Sequence, residues 1–152
     1  MITWKNIINY TINGNPIPKR RVEKSDSEWK ALLTPEQFRI TRLKGTERPH
    51  SGQLCSIFDE GTYQCVCCQT DLFDSTIKFD SSSGWPSFTQ PIEESAIQYI
   101  KDVSYGMVRV EVLCNTCDAH LGHIFPDGPE PSGLRYCINS ESMILKTEVT
   151  NE

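Results

Sequence analysis

The sequence predicts a mainly β domain with antiparallel strands, on three observations. Short β-branched or alternating segments fill the chain after residue 45, turns rich in glycine, serine and proline separate them, and no long helix lies between them. Parallel strands need long, usually helical connections, so the absence of such helices favours antiparallel pairing. The 152 residues suffice for one hydrophobic core. We therefore expect a single domain over residues 25–152, preceded by a polar, turn-rich arm over residues 1–24.

Two capping boxes predict two short helices at the start of this domain. Ser25 and Glu28 have the spacing at which each side chain caps the backbone N–H of the other, and Thr34 and Gln37 repeat it. Gly45 is the expected end of the second helix. Strands are predicted after it, at residues 63–67, 99–100, 107–114, 134–140 and 143–149.

One of these strands shows the alternation of a sheet with a buried and a solvated face. Val108, Val110 and Val112 share one face, and Arg109 and Glu111 share the other. We therefore expect the valines in the core and the two charged side chains in solvent.

The composition excludes several classes of partner. A net charge of -5 and an isoelectric point near 5.2 disfavour binding to nucleic acid, which requires a basic surface. No apolar segment approaches the roughly 20 residues that span a bilayer. Residues 1–10 contain no hydrophobic signal-peptide region, and residues 1–22 are too poor in serine for a typical transit peptide. We expect a cytoplasmic monomer with no nucleic-acid or membrane partner.

Seven cysteines in such a chain favour metal binding or catalysis over disulfides, because cytosolic thiols are kept reduced. Four of them form two Cys-x-x-Cys units. Each unit can direct two sulfurs at one ion, and two units complete the closed tetrahedron of a structural zinc site. The predicted ligands of one Zn²⁺ are Cys65, Cys68, Cys114 and Cys117.

Other interpretations of these cysteines stay open. Either unit alone could be a redox pair, although the βαβ setting of such motifs is missing, and the thiols could simply be buried. Iron is compatible with the same ligands. Cys67 is an ambiguous ligand, but the matching spacing favours Cys65 and Cys68. A closed site with four sulfurs has no open position for a substrate, so any catalysis must occur elsewhere.

Cys137 stands apart from the paired cysteines, in a predicted strand. Alternation places it on one face with Arg135 and Asn139, while the opposite face carries the apolar residues. A neighbouring guanidinium favours the thiolate, which is the nucleophilic form of cysteine. The apolar residues of the opposite face are Leu134, Tyr136 and Ile138.

Two histidines upstream could serve this thiol. His120 and His123 can exchange protons near neutral pH, and Asp127 could orient one of them or tune its pKa. A cysteine, a histidine and an orienting polar group form an activated nucleophile. The histidines could instead be metal ligands or structural residues. Trp85, in a loop shaped by glycine and proline, could line an apolar pocket or anchor that loop in the core.

Five motifs stand in the order found in the methionine-R-sulfoxide reductases, or type B peptide-methionine sulfoxide reductases, and the chain resembles that family from about residue 29 to residue 146. The two Cys-x-x-Cys units belong to the resemblance. The motifs are Gly-Thr-Glu-Arg-Pro at 45–49, Gly-Trp-Pro-Ser-Phe at 84–88, Ala-His-Leu-Gly-His at 119–123, Phe-Pro-Asp-Gly at 125–128 and Arg-Tyr-Cys-Ile-Asn at 135–139.

The resemblance implies a mainly β catalytic domain of two antiparallel sheets with short N-terminal helices, clamped by the zinc site. It implies that Cys137 is the nucleophile and that Trp85 binds the ε-methyl group of the substrate, with Phe125 also on the substrate side. The residues implied around the sulfoxide oxygen and the thiolate are His120, His123, Asp127, Arg135 and Asn139.

The resemblance also implies a reaction on methionine-R-sulfoxide in peptides or proteins, as in the repair of oxidative damage. The thiolate of Cys137 would attack the sulfoxide sulfur while a histidine, best assigned to His123, delivers protons to the oxygen. Methionine would leave Cys137 as a sulfenic acid. A second thiol would convert this acid to a disulfide, which a thioredoxin-type reductant reopens.

The second thiol is the point at which this chain departs from many relatives. They carry it just before the Gly-Trp-Pro-Ser motif, where this chain has Ser83, which cannot form a disulfide. Cys55 lies in a Leu-Cys-Ser segment similar to one that some relatives use, so we favour it over Cys67 and over direct reduction of the sulfenic acid. Cys55 could also be a small buried hydrophobe.

A binding module is the main alternative from another class. A zinc-clamped β domain of that kind would need neither Cys137 nor the two histidines. A nucleic-acid zinc ribbon is a third possibility, which the acidic charge opposes.

Overall fold

The computed structural model describes residues 1–147. Short 3-10 turns connect several of its elements. The helices and strands are α1 Trp4–Asn13, α2 Asp26–Leu32, α3 Pro35–Thr41, β1 Thr62–Cys65, β2 Asp71–Asp74, β3 Lys78–Phe79, β4 Ser87–Phe88, β5 Ile97–Asp102, β6 Arg109–Cys114, β7 His120–Phe125, β8 Arg135–Ile138 and β9 Met143–Lys146.

The strands form two antiparallel sheets, which confirms the predicted fold class. One has three strands in the order β2-β1-β9, and the other has six in the order β3-β4-β8-β7-β6-β5. Within residues 1–147 no helix has the length and apolar character that crossing a bilayer requires.

An aromatic cluster joins the two sheets and forms the centre of the core. Tyr63 and Phe73 come from the small sheet, Phe88 and Tyr136 come from the large one, and all four are fully buried. Phe73 stacks on Phe88 with ring centroids 4.3 Å apart, and Tyr136 meets Phe73 edge-on at 5.5 Å. Such aromatic pairs add to the stability that burial of their area supplies.

The two predicted helices are present, and their capping boxes are formed. In α2 the hydroxyl of Ser25 accepts from the N–H of Glu28, and the N–H of Ser25 donates to the carboxylate of Glu28. Thr34 and Gln37 make the same pair of bonds in α3. The second helix ends at Thr41 rather than near Gly45. Lys44, at φ 60°, has the left-handed backbone conformation that prevents the helix from continuing to Gly45.

The arm contains a helix that the sequence analysis did not predict. In α1 a capping box between Thr3 and Asn6 starts the helix, and Ile7 is fully buried. Tyr10 stacks on Tyr99 of β5 with centroids 5.6 Å apart. Its asparagines are poor helix formers, so the helix depends on packing against β5 more than on propensity.

The end of the arm contacts the two cysteine units. Arg20 donates to the carbonyl of Cys68 at 2.8 Å, and the N–H of Val22 donates to Thr116 at 2.9 Å. The arm therefore spans from β5 to the cysteine cluster along the surface of the domain.

Most predicted strands are found with shifted ends, and four strands were missed. The predicted strand at 143–149 is observed as Met143–Lys146; its last two positions lie outside the described residues. The strands β2, β3 and β4 are short and carry serine, lysine or aspartate, so their alternation is weak. The residues of β7, His120–Phe125, carry two histidines and a glycine, which mask the alternation of a strand.

Gly122 permits close pairing of β7 with β8. A Cβ atom at this position would lie 2.0 Å from the carbonyl oxygen of Cys137, so any larger residue would push the two strands apart. Glycine here keeps His123 and Cys137 directly opposite each other across the strands.

The prediction that β6 has one solvated face is wrong. Val110 and Val112 are buried as expected, but Val108 lies outside the strand and is 74% exposed, whereas Glu111 is only 5% exposed. The helix α3 packs on the neighbouring strand β7, and Lys44, just after this helix, bonds to Glu111 at 3.1 Å. Glu111 tolerates burial because it has charged and polar partners, described below.

Candidate active site and metal centre

The pairing of β8 with its neighbours builds a cleft around Cys137. Cys137 lies opposite His123 of β7 and opposite Ser87 of β4, and side chains opposite each other on antiparallel strands have Cβ atoms about 5 Å apart. The cleft has a volume of about 310 Å³. Its lining residues are Thr46, Ser83, Trp85, Arg109, Gly122, His123, Phe125, Arg135, Cys137 and Asn139.

The structure places the two faces of β8 as predicted. Leu134, Tyr136 and Ile138 are fully buried, whereas Cys137 is half-buried and faces the cleft. Asn139 lies at the floor of the cleft with both ends of its amide occupied. It accepts from the N–H of Glu47 at 3.1 Å and donates to the carbonyl of Leu121 at 3.0 Å. Asn139 therefore fixes the floor rigidly.

Trp85 is both an anchor and part of the cleft wall. Its indole Nε1 donates to the carbonyl of Glu47 at 3.1 Å, which fixes the plane of the ring. The ring itself lines the cleft together with Phe125. Both interpretations drawn from the sequence therefore apply, and the aromatic wall suits a small apolar group.

Burial raises the pKa of the Cys137 thiol, so the thiol form is favoured in the free protein. Two neighbours oppose this effect. The guanidinium of Arg135 and a hydrogen bond with Ser83 both lower the pKa of Cys137. Ser83, which occupies the position where many relatives carry a second cysteine, thus lines the cleft close enough to lower the pKa of Cys137.

Replacing Arg135 with methionine should move the titration of Cys137 to higher pH, because the cation that stabilises the thiolate is lost. The measurement is the rate of iodoacetamide alkylation at Cys137 as a function of pH, read by mass spectrometry of the peptide. Arg135→Lys keeps a positive charge and should shift the midpoint less. An unchanged or lower midpoint in Arg135→Met would contradict this assignment.

His123 is held by a carboxylate that the sequence analysis missed. Its Nε2 lies 2.8 Å from Oδ2 of Asp102, which also accepts from Arg109 at 3.4 Å. Hydrogen bonds from the backbone of Ser104 and from His123 hold the pKa of Asp102 well below its usual range, so the carboxylate is ionised. An ionised carboxylate can only accept, hence Nε2 carries the proton and Nδ1 is left as an acceptor.

Burial lowers the pKa of His123, and the hydrogen bond with Asp102 only partly opposes this effect. The imidazole is therefore neutral at pH 7 in the free protein. A protonated thiol and a neutral imidazole thus occupy opposite positions on the paired strands β8 and β7.

His120 does not reach the cleft. It is 3% exposed, and its Nδ1 lies 2.8 Å from Glu111. Burial alone would raise the pKa of Glu111, but hydrogen bonds from His120 and Lys44 outweigh it, so the pKa is lowered and the carboxylate is charged. The prediction that His120 lies beside the sulfoxide oxygen is therefore wrong. Its ring does not line the cleft but packs edge-on against the ring of His123, with centroids 5.8 Å apart.

Asp127 contacts neither histidine. Its two oxygens accept from Arg135 at 2.8 and 3.1 Å, and its side chain is 62% exposed. The guanidinium of Arg135 also lies over the ring of Phe125, 4.5 Å from the centroid. Asp127 thus positions the cation beside Cys137, and the orienting role expected of it belongs to Asp102.

Cys55 lies outside the cleft, half-buried in the segment after Gly52. Burial raises the pKa of its thiol, whereas the nearby ammonium group of Lys78 lowers it. Lys78 donates to the carbonyls of Leu54 and Ile57 and, at 2.9 Å, to the hydroxyl of Tyr63. Lys78 therefore holds both ends of the turn that carries Cys55.

Glu47 is a buried carboxylate near both thiols, and its charge raises the pKa of each. Burial raises the pKa of Glu47 itself, against backbone hydrogen bonds from Ser140 and Glu141. Its Oε2 has no hydrogen-bond partner among the described residues. Glu47 belongs to a family motif, but no periodicity or spacing indicated that its carboxylate would lie near both thiols.

The four predicted metal ligands come together. The sulfurs of Cys65, Cys68, Cys114 and Cys117 all lie within 4.8 Å of one another, and all four residues are buried. The Sγ atoms of Cys65 and Cys117 are 3.7 Å apart, and those of Cys68 and Cys114 are 3.6 Å apart. Cys67 is not part of this group, as its spacing indicated.

These distances fit a tetrahedral ion. A Zn–S bond of about 2.3 Å requires sulfurs roughly 3.8 Å apart at the corners of a tetrahedron. The group joins the turn after β1 to the turn between β6 and β7. Arg42 supplies positive charge beside it, with Nη1 3.7 Å from the sulfur of Cys117 and Nη2 bonded to the carbonyl of Cys117 at 2.8 Å.

Comparison with known proteins assigns the class of this chain. The family model described as the SelR domain matches residues 33–147. The chain therefore belongs to the SelR-domain family, the methionine-R-sulfoxide reductases that its motifs indicated.

The curated relatives carry a more particular name. A "Peptide methionine sulfoxide reductase MsrB" of Pseudomonas entomophila is 58% identical over 127 residues, which cover 84% of this chain and 97% of the relative. Proteins of the same name match at 58% identity in Pseudomonas syringae pv. syringae, over 82% of this chain and 95% of the relative. In Saccharophagus degradans the identity is 59%, over 83% of this chain and 94% of the relative.

Proposed function

We propose that this protein reduces methionine-R-sulfoxide in peptides or proteins to methionine, with Cys137 as the nucleophile. The observation that carries the proposal is the pairing of Cys137 with His123 at one cleft walled by Trp85, in a chain that belongs to the SelR-domain family. The close relatives named above are peptide methionine sulfoxide reductases, which supports the same reaction here.

The first step couples a thiol to a neutral imidazole. His123 accepts the proton of the Cys137 thiol at Nδ1 as the sulfur attacks the sulfoxide sulfur, and Asp102 stabilises the imidazolium that forms. The imidazolium then donates a proton to the sulfoxide oxygen. The hydroxyl then passes from the substrate sulfur to the sulfur of Cys137 as the bond between the two sulfurs breaks. The substrate sulfur gains two electrons, Cys137 loses two, and the products are methionine and the sulfenic acid of Cys137.

The aromatic walls of the cleft favour a substrate with a small apolar group, such as the ε-methyl group, bonded to the reacting sulfur. The indole of Trp85 and the ring of Phe125 offer apolar surface on which the ε-methyl group can be buried. Arg135, held by Asp127, lies on the same side of β8 as Cys137 and favours the thiolate. Asn139 acts through the geometry of the floor, since its amide is held by the backbone of Glu47 and Leu121.

Cys55 is our candidate for the second thiol. Its thiol would attack the sulfenic sulfur of Cys137, form a disulfide and release one water molecule. Two features support this role: both thiols lie close enough to Glu47 for its charge to act on them, and the ammonium group of Lys78 favours the Cys55 thiolate. Because Cys55 lies outside the cleft, its turn has to move, and the three bonds of Lys78 are the contacts that must loosen.

A single turnover without reductant tests the reaction and the second thiol together. Mixed with excess methionine-R-sulfoxide peptide, the protein should form about one methionine per chain, and peptide mapping should show a Cys55–Cys137 disulfide. In Cys55→Ser the same yield is expected, with a sulfenic acid at Cys137 that dimedone traps. The control is Cys67→Ala, which should form the wild-type disulfide.

The outcomes separate the two parts of this proposal. Failure of the wild type to form methionine would contradict the reaction itself. A trapped sulfenic acid in the wild type, with no disulfide, would leave the reaction intact and exclude Cys55 as the second thiol.

We further propose that the four clustered cysteines hold one Zn²⁺ with a structural role. The ion would be held by Cys65, Cys68, Cys114 and Cys117, whose sulfurs stand at distances suited to it. It would supply no chemistry to the cleft, because four thiolates fill its coordination sphere. Its binding energy would instead stabilise the fold.

The remaining expectations concern the setting of the enzyme. A disulfide formed at each turnover needs a dithiol reductant, so a thioredoxin-type protein is the proposed partner. The catalytic thiols and the metal-binding thiolates stay reduced in a reducing compartment, so we propose that the protein acts in the cytoplasm. We also propose that it is a monomer.

A further inference from the structure

An apolar groove runs beside the cleft, between the N-terminal helix and the large sheet. Its volume is about 440 Å³. Trp4, Ile8 and Ile12 of α1 form one wall, and Val108, Val110 and Ile124 form much of the other. Ile12 and Val108 are 73% and 74% exposed, so the groove displays apolar side chains to solvent.

The groove is continuous with the cleft. Arg109 and Phe125 line both of them. Phe125 is two positions from His123 along β7, and two residues of a strand span about 7 Å. An extended chain with one residue at Cys137 would therefore reach the groove about two residues away and could follow it for several more.

One wall of the groove belongs to a part of the chain that the family match does not include. The SelR-domain match begins at residue 33, whereas α1 covers Trp4–Asn13. Ile7 and the stack of Tyr10 on Tyr99 fix this helix to the sheet. The groove is therefore a stable part of the fold, and one of its walls lies outside the domain that carries the catalytic cleft.

We propose that this groove binds apolar side chains of a polypeptide substrate, at positions about two to four residues from the methionine sulfoxide. The proposal rests on the proposed function and specifies its substrate: extended, apolar segments of oxidised proteins in preference to the free amino acid. A folded partner or a second copy seated on the groove would also cover Phe125 and Arg109, and so obstruct the cleft. A flexible chain that continues out of the cleft covers the groove only during turnover.

The test compares three R-sulfoxide substrates. Two are peptides of equal length, one with leucine and valine around the methionine sulfoxide and one with serine and glycine there, and the third is N-acetyl-methionine-R-sulfoxide amide. For the wild type, kcat/KM should be about five- to tenfold higher for the apolar peptide than for the polar one, mainly through KM, because two apolar side chains are buried.

The variant Ile12→Gln/Val108→Thr makes the groove polar at two exposed positions. In this variant kcat/KM for the apolar peptide, divided by kcat/KM for the small amide, should fall about five- to tenfold. It should approach the value of the same ratio for the polar peptide. Ile17→Gln is the matched control, since Ile17 is 87% exposed and lies outside the groove. It should keep the wild-type ratio, and thermal melting of both variants checks that they are folded.

Three results would overturn the proposal. Equal kcat/KM for the two peptides in the wild type is the first, and an unchanged ratio in the double variant is the second. The third is a wild-type dimer, measured by light scattering, that the double variant converts to monomer, because a second copy would then be the occupant. If none of the three substrates is reduced, the proposed function fails; if the peptides are reduced but do not differ, only the groove proposal fails.

Discussion

Cys137→Ser is expected to lower the reduction of methionine-R-sulfoxide by at least about 10⁴-fold, because serine cannot form the sulfenic acid through which the oxygen is removed. Cys137 is half-buried and outside the metal group, so the fold and the metal content should not change. The measurement is the steady-state rate with dithiothreitol as reductant, together with metal analysis and thermal melting.

A second cysteine variant provides the control for losing a thiol. Cys67→Ala removes a buried thiol that belongs neither to the cleft nor to the four-sulfur group, and it should keep activity. If Cys137→Ser still reduced the sulfoxide, the nucleophile would have to be another residue. If both variants lost activity together, the effect would be structural and not chemical.

Cys114→Ser should have the largest effect on stability. The residue is fully buried and its sulfur lies 3.6 Å from that of Cys68. The binding energy of a structural zinc ion, of order 10 kcal/mol, is comparable with the total stability of a domain. We expect loss of most bound metal and a fall in the free energy of unfolding of about 5 kcal/mol or more, which is roughly 10 °C or more in Tm.

The matched control for this variant is again Cys67→Ala, a neighbouring buried cysteine outside the group. It should retain one equivalent of zinc and lose much less stability. Wild-type metal content and Tm in Cys114→Ser would contradict the metal centre. So would a protein that is purified without metal and melts cooperatively at the same temperature after prolonged chelation.

The sequence was most informative where a local pattern has one physical cause. Two capping boxes predicted α2 and α3, and paired Cys-x-x-Cys units predicted a metal-binding group that the structure assembles. Alternation along β8 correctly separated its buried face from the face of Cys137. In each of these cases the decisive contacts lie within a few residues or follow from one strand.

Local sequence patterns could not predict contacts between segments that are distant along the chain. Asp102 approaches His123 only because β5, β6 and β7 are neighbours in one sheet, so the sequence analysis chose Asp127 from the same segment instead. Glu111 looked solvent-exposed by alternation, but it is 5% exposed and bonds to His120 and Lys44. The helix α1 was missed because packing, and not helix propensity, holds it in place.

The structure also weighs against the binding module as the main activity. Such a module requires the four-sulfur group but does not require a half-buried thiol opposite a neutral imidazole. The hydrogen-bonded pair of Asp102 and His123, which come from two separate strands, would serve no purpose in it. The cleft around Cys137 is thus best explained as a reaction site.

The most direct test of the central claim is turnover of the two separated methionine sulfoxide epimers by the wild-type protein, with thioredoxin or dithiothreitol as reductant. We predict that a peptide containing the R epimer is converted completely to methionine and that the S epimer is left unreacted. Equal turnover of both epimers, or reduction of only the S epimer, would contradict the assignment.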